Sequence, residues 1–151
     1  MTVTFDSASE ADTRAVGRKL ASHVRHGDVV LVCGELGAGK TAFVGGLAEG
    51  LGIDEPITSP TFILFRRYDG GFLPLVHVDA YRLGSLNEFE DLGVLEDSQD
   101  AVLVIEWGDA VGRVLPDDRL VIMIDLAGPT DRSLTLEPHG SWVDRRLGDL
   151  K

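Results

Sequence analysis

Apolar and polar positions along this chain follow two periods, one helical and one of strand type. Residues 10–26 (EADTRAVGRKLASHVRH) place Ala11, Val16, Leu20 and Val24 at helical spacing, which predicts a helix. From Asp28 to Cys33 the chain reads DVVLVC, a continuous apolar run. A strand apolar on both sides belongs inside a parallel sheet that is covered on both faces. A glycine-rich turn follows. TAFVGGLAEGLG (41–52) then predicts a second helix, although its interior Gly45 and Gly46 weaken helical propensity. Residues 54–61 (DEPITSPT) read as a loop, and 62–79 (FILFRRYDGGFLPLVHVD) as two strands around Asp69-Gly70-Gly71, a hairpin signal.

Further along, 85–98 (SLNEFEDLGVLEDS) predicts a short acidic helix, with Ser85 as N-cap and Glu88 three residues on. AVLVIEW (101–107) and RLVIMIDL (119–126) are two more buried strands, SLTLEP (133–138) is an edge strand, and SWVDRRLGDLK (141–151) is a final helix. No repeat of 20–50 residues and no low-complexity segment interrupts the order. Strands alternating with helices predict one α/β domain over residues 1–151, with a mixed, mostly parallel sheet flanked by helices.

Composition narrows the function classes. A chain of 151 residues buries roughly 68–70% of its unfolded surface and needs no covalent staples. Its 14 Lys and Arg against 25 Asp and Glu give a net charge of −11. Neutralising a phosphate backbone takes clustered cations, so autonomous nucleic-acid binding and adhesion to an anionic membrane are both disfavoured. No apolar run approaches the ~20 residues of a membrane span. The N-terminal MTVTFDSASEADTR has neither the basic nor the apolar region of a signal peptide. Cys33 is the single cysteine and forms no internal disulfide. The expectation is a soluble, reduced, cytoplasmic protein, with Cys33 as a small buried apolar residue.

One motif carries chemistry. Gly34-Glu35-Leu36-Gly37-Ala38-Gly39-Lys40-Thr41 fits G-x-x-x-x-G-K-S/T at every fixed position. With 18 Gly, 3 Lys and 16 Ser plus Thr in the chain, chance yields roughly 0.004 such matches. The motif also leaves a predicted buried strand and opens a predicted helix, the context a P-loop requires. There the glycines let successive backbone N–H groups face one concavity, and the helix N-terminus adds its positive end. Lys40 would reach the β- and γ-phosphates, and the Thr41 hydroxyl would ligate Mg²⁺. An overlapping dinucleotide pattern, Gly37-Ala38-Gly39-Lys40-Thr41-Ala42, is weaker. Its acidic candidates Asp54 and Glu55 fall in a loop rather than at a strand end, and it leaves Lys40 and Thr41 unexplained.

A P-loop needs a second acid at the end of a neighbouring strand. Asp79 closes FLPLVHVD and Glu106 closes AVLVIE, and either could hold the metal or orient the attacking water. His77 shares the face of Asp79, so His-x-Asp reads as a metal pair or, beside a P-loop, as a positioning or packing residue. Thr58-Ser59-Pro60-Thr61 sits where a switch loop meets γ-phosphate or Mg²⁺.

The ordered set GELGAGKT, SPTF (59–62), HVDAYRL (77–83) and EW (106–107) resembles the TsaE family, the bacterial ATPases of tRNA threonylcarbamoyladenosine modification. The resemblance runs from about Thr13 to Arg132. Glu35 stands where the family usually has Asp, and Ala80 where Leu is common; neither is a fixed P-loop position. The resemblance implies a P-loop ATPase that uses ATP and Mg²⁺ in support of TsaD- and TsaB-type partners. Those partners transfer threonylcarbamoyl to adenosine 37 of tRNAs reading ANN codons. By position, Leu36, Gly37, Ala38, Gly39, Lys40 and Thr41 would hold phosphates, and Thr41 with Glu106 would ligate Mg²⁺. Asp79 would be the acid of the second nucleotide motif and Thr61 a switch-loop contact. Trp107 would lie beside the nucleotide, and Thr13 and Arg132 would contact adenine.

Three other classes compete. A small-molecule kinase needs a lid delivering arginines, for which only Arg66-Arg67 and Arg145-Arg146 are candidates. A GTPase lacks its N-K-x-D guanine reader, and Asp109-Ala110-Val111-Gly112 matches D-x-x-G after the wrong strand. The third is a nucleotide-dependent binding module with negligible turnover.

Overall fold

The computed structural model describes residues 2–35, 37–58, 65–79, 93–106 and 116–150. Among these residues seven strands form one mixed sheet: β1 (Val3–Ser7), β2 (Val29–Gly34), β3 (Phe65–Tyr68), β4 (Leu75–Asp79), β5 (Val102–Glu106), β6 (Leu120–Leu126) and β7 (Arg132–Pro138), in the order β1-β7-β6-β2-β5-β4-β3. The central run β6-β2-β5-β4 is parallel, and β1, β7 and β3 add antiparallel at the margins. The predicted α/β fold with a mixed sheet is what the chain adopts, and DVVLVC lies at its buried centre.

Helices α1 (Glu10–Leu20) and α2 (Lys40–Gly50) cover one face. The Ser9 hydroxyl caps α1 by accepting the Asp12 N–H at 3.1 Å, and the Asp12 carboxylate accepts the Ala8 N–H at 3.0 Å in return. Helix α1 stops at Leu20 rather than running to residue 26. A 3-10 turn (Ala21–His23) follows, Val24 is extended, and Gly27 turns the chain into β2 at φ 85°. The glycines that weaken α2 as a helix explain its packing. A Cβ on Gly46 would stand 1.9 Å from the Arg14 carbonyl oxygen, and one on Gly17 would stand 2.2 Å from that of Phe43. At each of these contacts a glycine of one helix lies against the backbone of the other, where a Cβ would leave no room.

Side chains alternate across the sheet, so it has two apolar layers. Val30, Val32, Val102, Val104 and Ile122 face α1 and α2 together with Phe43 and Leu47. Leu31, Cys33, Val78, Leu103 and Ile105 face the other side, against Val94 of a one-turn helix, Val94–Asp97. Cys33 is buried there, as expected.

Two expectations are corrected. SLTLEP is not an edge strand, because β1 pairs along it from Val3↔Leu136 to Ser7↔Arg132. The edges are β1 and β3. The alternation of VTFDS (buried, exposed, buried, exposed, buried) is the strand signal for β1, which the sequence reading leaves unassigned. The tail is not one helix but two 3-10 turns, Gly140–Asp144 and Leu147–Leu150, separated by Arg146 at φ 55°. The buried Trp142 and Arg145 anchor it. The Arg145 guanidinium donates to both oxygens of Asp28, at 2.5 and 2.9 Å, and stacks 4.0 Å from the Trp142 ring centroid. Of the predicted acidic helix at 85–98, only residues 93–98 lie among the described residues.

Candidate functional site

The P-loop joins the C-terminal end of β2 to the N-terminus of α2, at the edge of the central parallel strands where open α/β sheets bind ligands. Gly37 and Gly39 take φ values of 81° and 108°, a left-handed region that glycine enters without Cβ strain. The loop therefore turns tightly and delivers the N-terminus of α2, beginning at Lys40, into a cavity of about 820 Å³. The first N–H groups of a helix have no intrahelical acceptor, so this end offers donors and the positive end of the dipole.

Parallel pairing then brings the acids in. Asp79 ends β4 and Glu106 ends β5, and the two are partners in register. By alternation both point to the α2 side, and both line the cavity with Lys40 and Thr41. Asp79 is 8% exposed and Glu106 4%. Two buried carboxylates side by side need cationic company, and Lys40 supplies it. Burial pushes its ammonium below the ordinary lysine range, while Glu106 and Asp79 pull the other way. The Lys40 Nζ donates to the Gly34 and Glu35 carbonyls at 2.8 and 2.9 Å, folding back along the loop it follows.

His77, fully buried, meets Glu106 through a hydrogen bond between Nε2 and Oε2. In place of a His-x-Asp metal pair, the imidazole is bonded across to the neighbouring strand. Among the described residues no cluster of three His, Cys, Asp or Glu exists that could hold a metal by itself. The donor set does fit Mg²⁺ arriving with a nucleotide. One hydroxyl and one or two carboxylates, completed by phosphate oxygens and water, are the usual protein share of such a site.

The far wall is built by the two segments that the resemblance put near adenine. Thr13, on α1, lines the cavity and is 1% exposed. Its hydroxyl lies 2.8 Å from that of Ser7, which in turn donates to the Ser9 carbonyl at 2.7 Å. Since Ser7 has spent its one proton, Thr13 is the donor of that pair. Arg132 opens β7 and also lines the cavity, with its guanidinium on the P-loop itself. Nε donates to the Ala38 carbonyl at 3.0 Å, and the group reaches the Gly128 and Asp131 carbonyls as well. Ala8, Ser9, Pro129 and Thr130 complete this wall, and the sequence reading did not select them. The Gly128-Pro129 pair between two predicted strands was the available signal for a turn there.

Leu36, Thr61 with the SPTF segment, Trp107, Tyr81 to Leu83 and the Asp109 to Gly112 match lie outside the described residues. The competing arginines are elsewhere. Arg66 is paired with Glu55 and stacked on Tyr68, Arg67 is paired with Asp69 and Asp100, and Arg145 is paired with Asp28. None of these lines the cavity. Asp54 and Glu55, the acids the dinucleotide pattern needs, are exposed in the loop after α2.

The chain is similar in sequence and in fold to known proteins. Residues 7–134 match the family model described as "Threonylcarbamoyl adenosine biosynthesis protein TsaE". A Streptomyces coelicolor protein named tRNA threonylcarbamoyladenosine biosynthesis protein TsaE is 50% identical over 117 residues, covering 76% of this chain and 79% of its own. A Bacillus subtilis protein of the same name is 41% identical over 140 residues, covering 92% and 87%. The crystal structure of YdiB from Bacillus subtilis superposes with a TM-score of 0.75 at 33% identity, over 99% of this chain and 91% of that one.

Proposed function

The chain belongs to the TsaE family, and from that premise we propose that it binds ATP with Mg²⁺ and hydrolyses it to support threonylcarbamoyladenosine formation at position 37 of tRNAs reading ANN codons. It acts in the cytoplasm with transferase partners of the TsaD and TsaB type. One observation carries the reading: Lys40 and Thr41 from the P-loop, and Asp79 and Glu106 from adjacent strand ends, line a single cavity.

The chain's own residues divide the work. The N-terminus of α2 and the loop N–H groups receive phosphate oxygens, and the Lys40 ammonium leaves its two carbonyls for the β- and γ-phosphates. The Thr41 hydroxyl and the Glu106 carboxylate would hold the metal. When bound with the nucleotide, Mg²⁺ would supply positive charge to offset that of the phosphates. Asp79, beside Glu106, orients water for in-line attack on the γ-phosphorus. The bond to the β,γ-bridging oxygen breaks, ADP leaves, and the water's proton passes toward the carboxylates. Thr13 and Arg132 form the wall that the nucleoside end meets. No arginine among those described stands ready at the γ-phosphate side, so turnover by the isolated chain is slow and partners raise it.

The kinase alternative is disfavoured because Arg66, Arg67 and Arg145 are paired away from the cavity. The deciding experiment follows γ-labelled ATP with the partner complex present. Release of inorganic phosphate supports the ATPase, and label appearing on a small acceptor supports the kinase. In Glu106→Gln, metal-free ATP binding should persist while phosphate release falls at least tenfold. Full turnover in that variant would remove Glu106 from the chemistry.

A further inference from the structure

Strand β4 reads LVHVD, and all five residues are buried. Leu75, His77 and Asp79 share the α2-facing side by alternation. Leu75 joins the apolar cluster there and Asp79 lines the cavity, leaving His77 as a polar ring in a packed layer. Its Nδ1 has no hydrogen-bond partner among the described residues, and no part of the ring is exposed. An apolar side chain at this position would avoid that desolvation cost. What the imidazole has in exchange is one bond, between Nε2 and Oε2 of Glu106.

The register makes that bond informative. His77 lies opposite Val104, and Glu106 lies opposite Asp79, so the contact runs diagonally across two parallel strands. Glu106 is 4% exposed and within electrostatic reach of Lys40. A carboxylate so placed would swing toward the ammonium unless held. A metal-ligating carboxylate is ionised and only accepts, so in that state His77 would donate from Nε2 and tie down one oxygen. The other oxygen then stays available at the cavity.

We propose that His77 is a positioning residue that locks the Glu106 carboxylate in its metal-receiving orientation and so sets how strongly Mg²⁺ tightens nucleotide binding. This rests on the ATP reading above. Hydrogen bonds behind metal-ligating groups characteristically govern affinity by 10- to 100-fold, without touching the metal.

The test is calorimetric titration of the full chain with AMP-PNP, with and without Mg²⁺. His77→Phe keeps the ring volume and removes the donor, and His77→Gln keeps a donor of similar reach. Metal-free affinity should be the same in all three proteins. The tightening caused by Mg²⁺ should fall about tenfold or more in His77→Phe and be largely retained in His77→Gln. A purely structural role would lower melting temperature in both variants without separating the two titrations. If His77→Phe does not fold, His77→Asn takes its place, since its amide is too short to reach Glu106. Undiminished Mg²⁺ tightening in the donor-less variant, or equal loss in His77→Gln, overturns the proposal. Failure of the unsubstituted chain to bind AMP-PNP with Mg²⁺ overturns the nucleotide reading itself.

Discussion

At the scale of single residues, the site is a balance of buried charges. Lys40 is 6% exposed and holds two loop carbonyls, while Asp79 and Glu106 stand at neighbouring strand ends. On the proposed reading a nucleotide would gain from this arrangement, because its phosphates would replace carbonyl acceptors with fully charged ones. Lys40→Met keeps the aliphatic stem and removes the ammonium. ATP affinity should fall by about 1.5–3 kcal/mol, the range for hydrogen bonds to charged groups, or roughly tenfold to a hundredfold in Kd. Circular dichroism should show an intact fold, because α2 is entered through the N-cap Gly39 at φ 108° and no side chain caps its first N–H groups. Titration calorimetry reads the affinity, and an unchanged Kd in a folded Lys40→Met would take the phosphates away from this loop.

Among the elements, the α1–α2 contact is the least forgiving. Arg14 and Arg18 of α1 both pair with Glu49 of α2, at 2.7 and 3.0 Å. All three side chains are exposed by a third or more, so these pairs add little. Backbone proximity matters more. Gly46→Ala would gain about 0.8–1.0 kcal/mol of helix propensity, yet its Cβ would stand 1.9 Å from a carbonyl oxygen that cannot rotate away. Forcing the helices apart costs about 1–3 kcal/mol or more, as overpacking does elsewhere. The net effect should be a lower denaturation midpoint in urea. Gly148→Ala is the control: nothing lies within 4 Å of its Cβ, so stability should stay within about 0.5 kcal/mol. Equal midpoints for both variants would show that α1 and α2 can shift without cost.

For the whole molecule, a net charge of −11 opposes contact with a polyanion. Several cations are already engaged by acids: Arg14 and Arg18 by Glu49, Arg66 by Glu55, Arg67 by Asp100, and Arg145 by Asp28. Counterion release, the general source of nucleic-acid affinity, therefore has little to draw on. A gel shift with tRNA at physiological salt should show no complex with the purified chain. A retarded band should appear once TsaD- and TsaB-type partners are added. Tight tRNA binding by the chain alone would contradict this assignment of roles. No helix among the described residues is long and apolar enough to cross a membrane.

Much of this was legible in one dimension because local physics determined it. A P-loop motif is contiguous, so the spacing of Gly34, Gly39, Lys40 and Thr41 was enough to suggest the chemistry proposed here. Apolar runs identified β2 and β5, which are buried on both faces, and β6, whose Val121 and Met123 face is only half-buried. Asp79 and Glu106 were visible as acids closing such runs. The rest depended on pairing between distant segments. SLTLEP and VTFDS each look like half-buried edges, and only their meeting across the sheet makes β7 interior and β1 the edge. Gly45 and Gly46 read as weak helix until α1 arrives against them. Ser9 and Thr130 join the cavity wall only when the β1–α1 corner and the β6–β7 turn are brought over the P-loop. The bond from His77 to Glu106 follows from parallel register, which sets two residues 29 apart in sequence across one diagonal of the sheet. Sequence determined which groups carry charge and are available to the proposed phosphate chemistry; tertiary pairing decided which of them face one another, because strand register is set by neighbours no local segment contains.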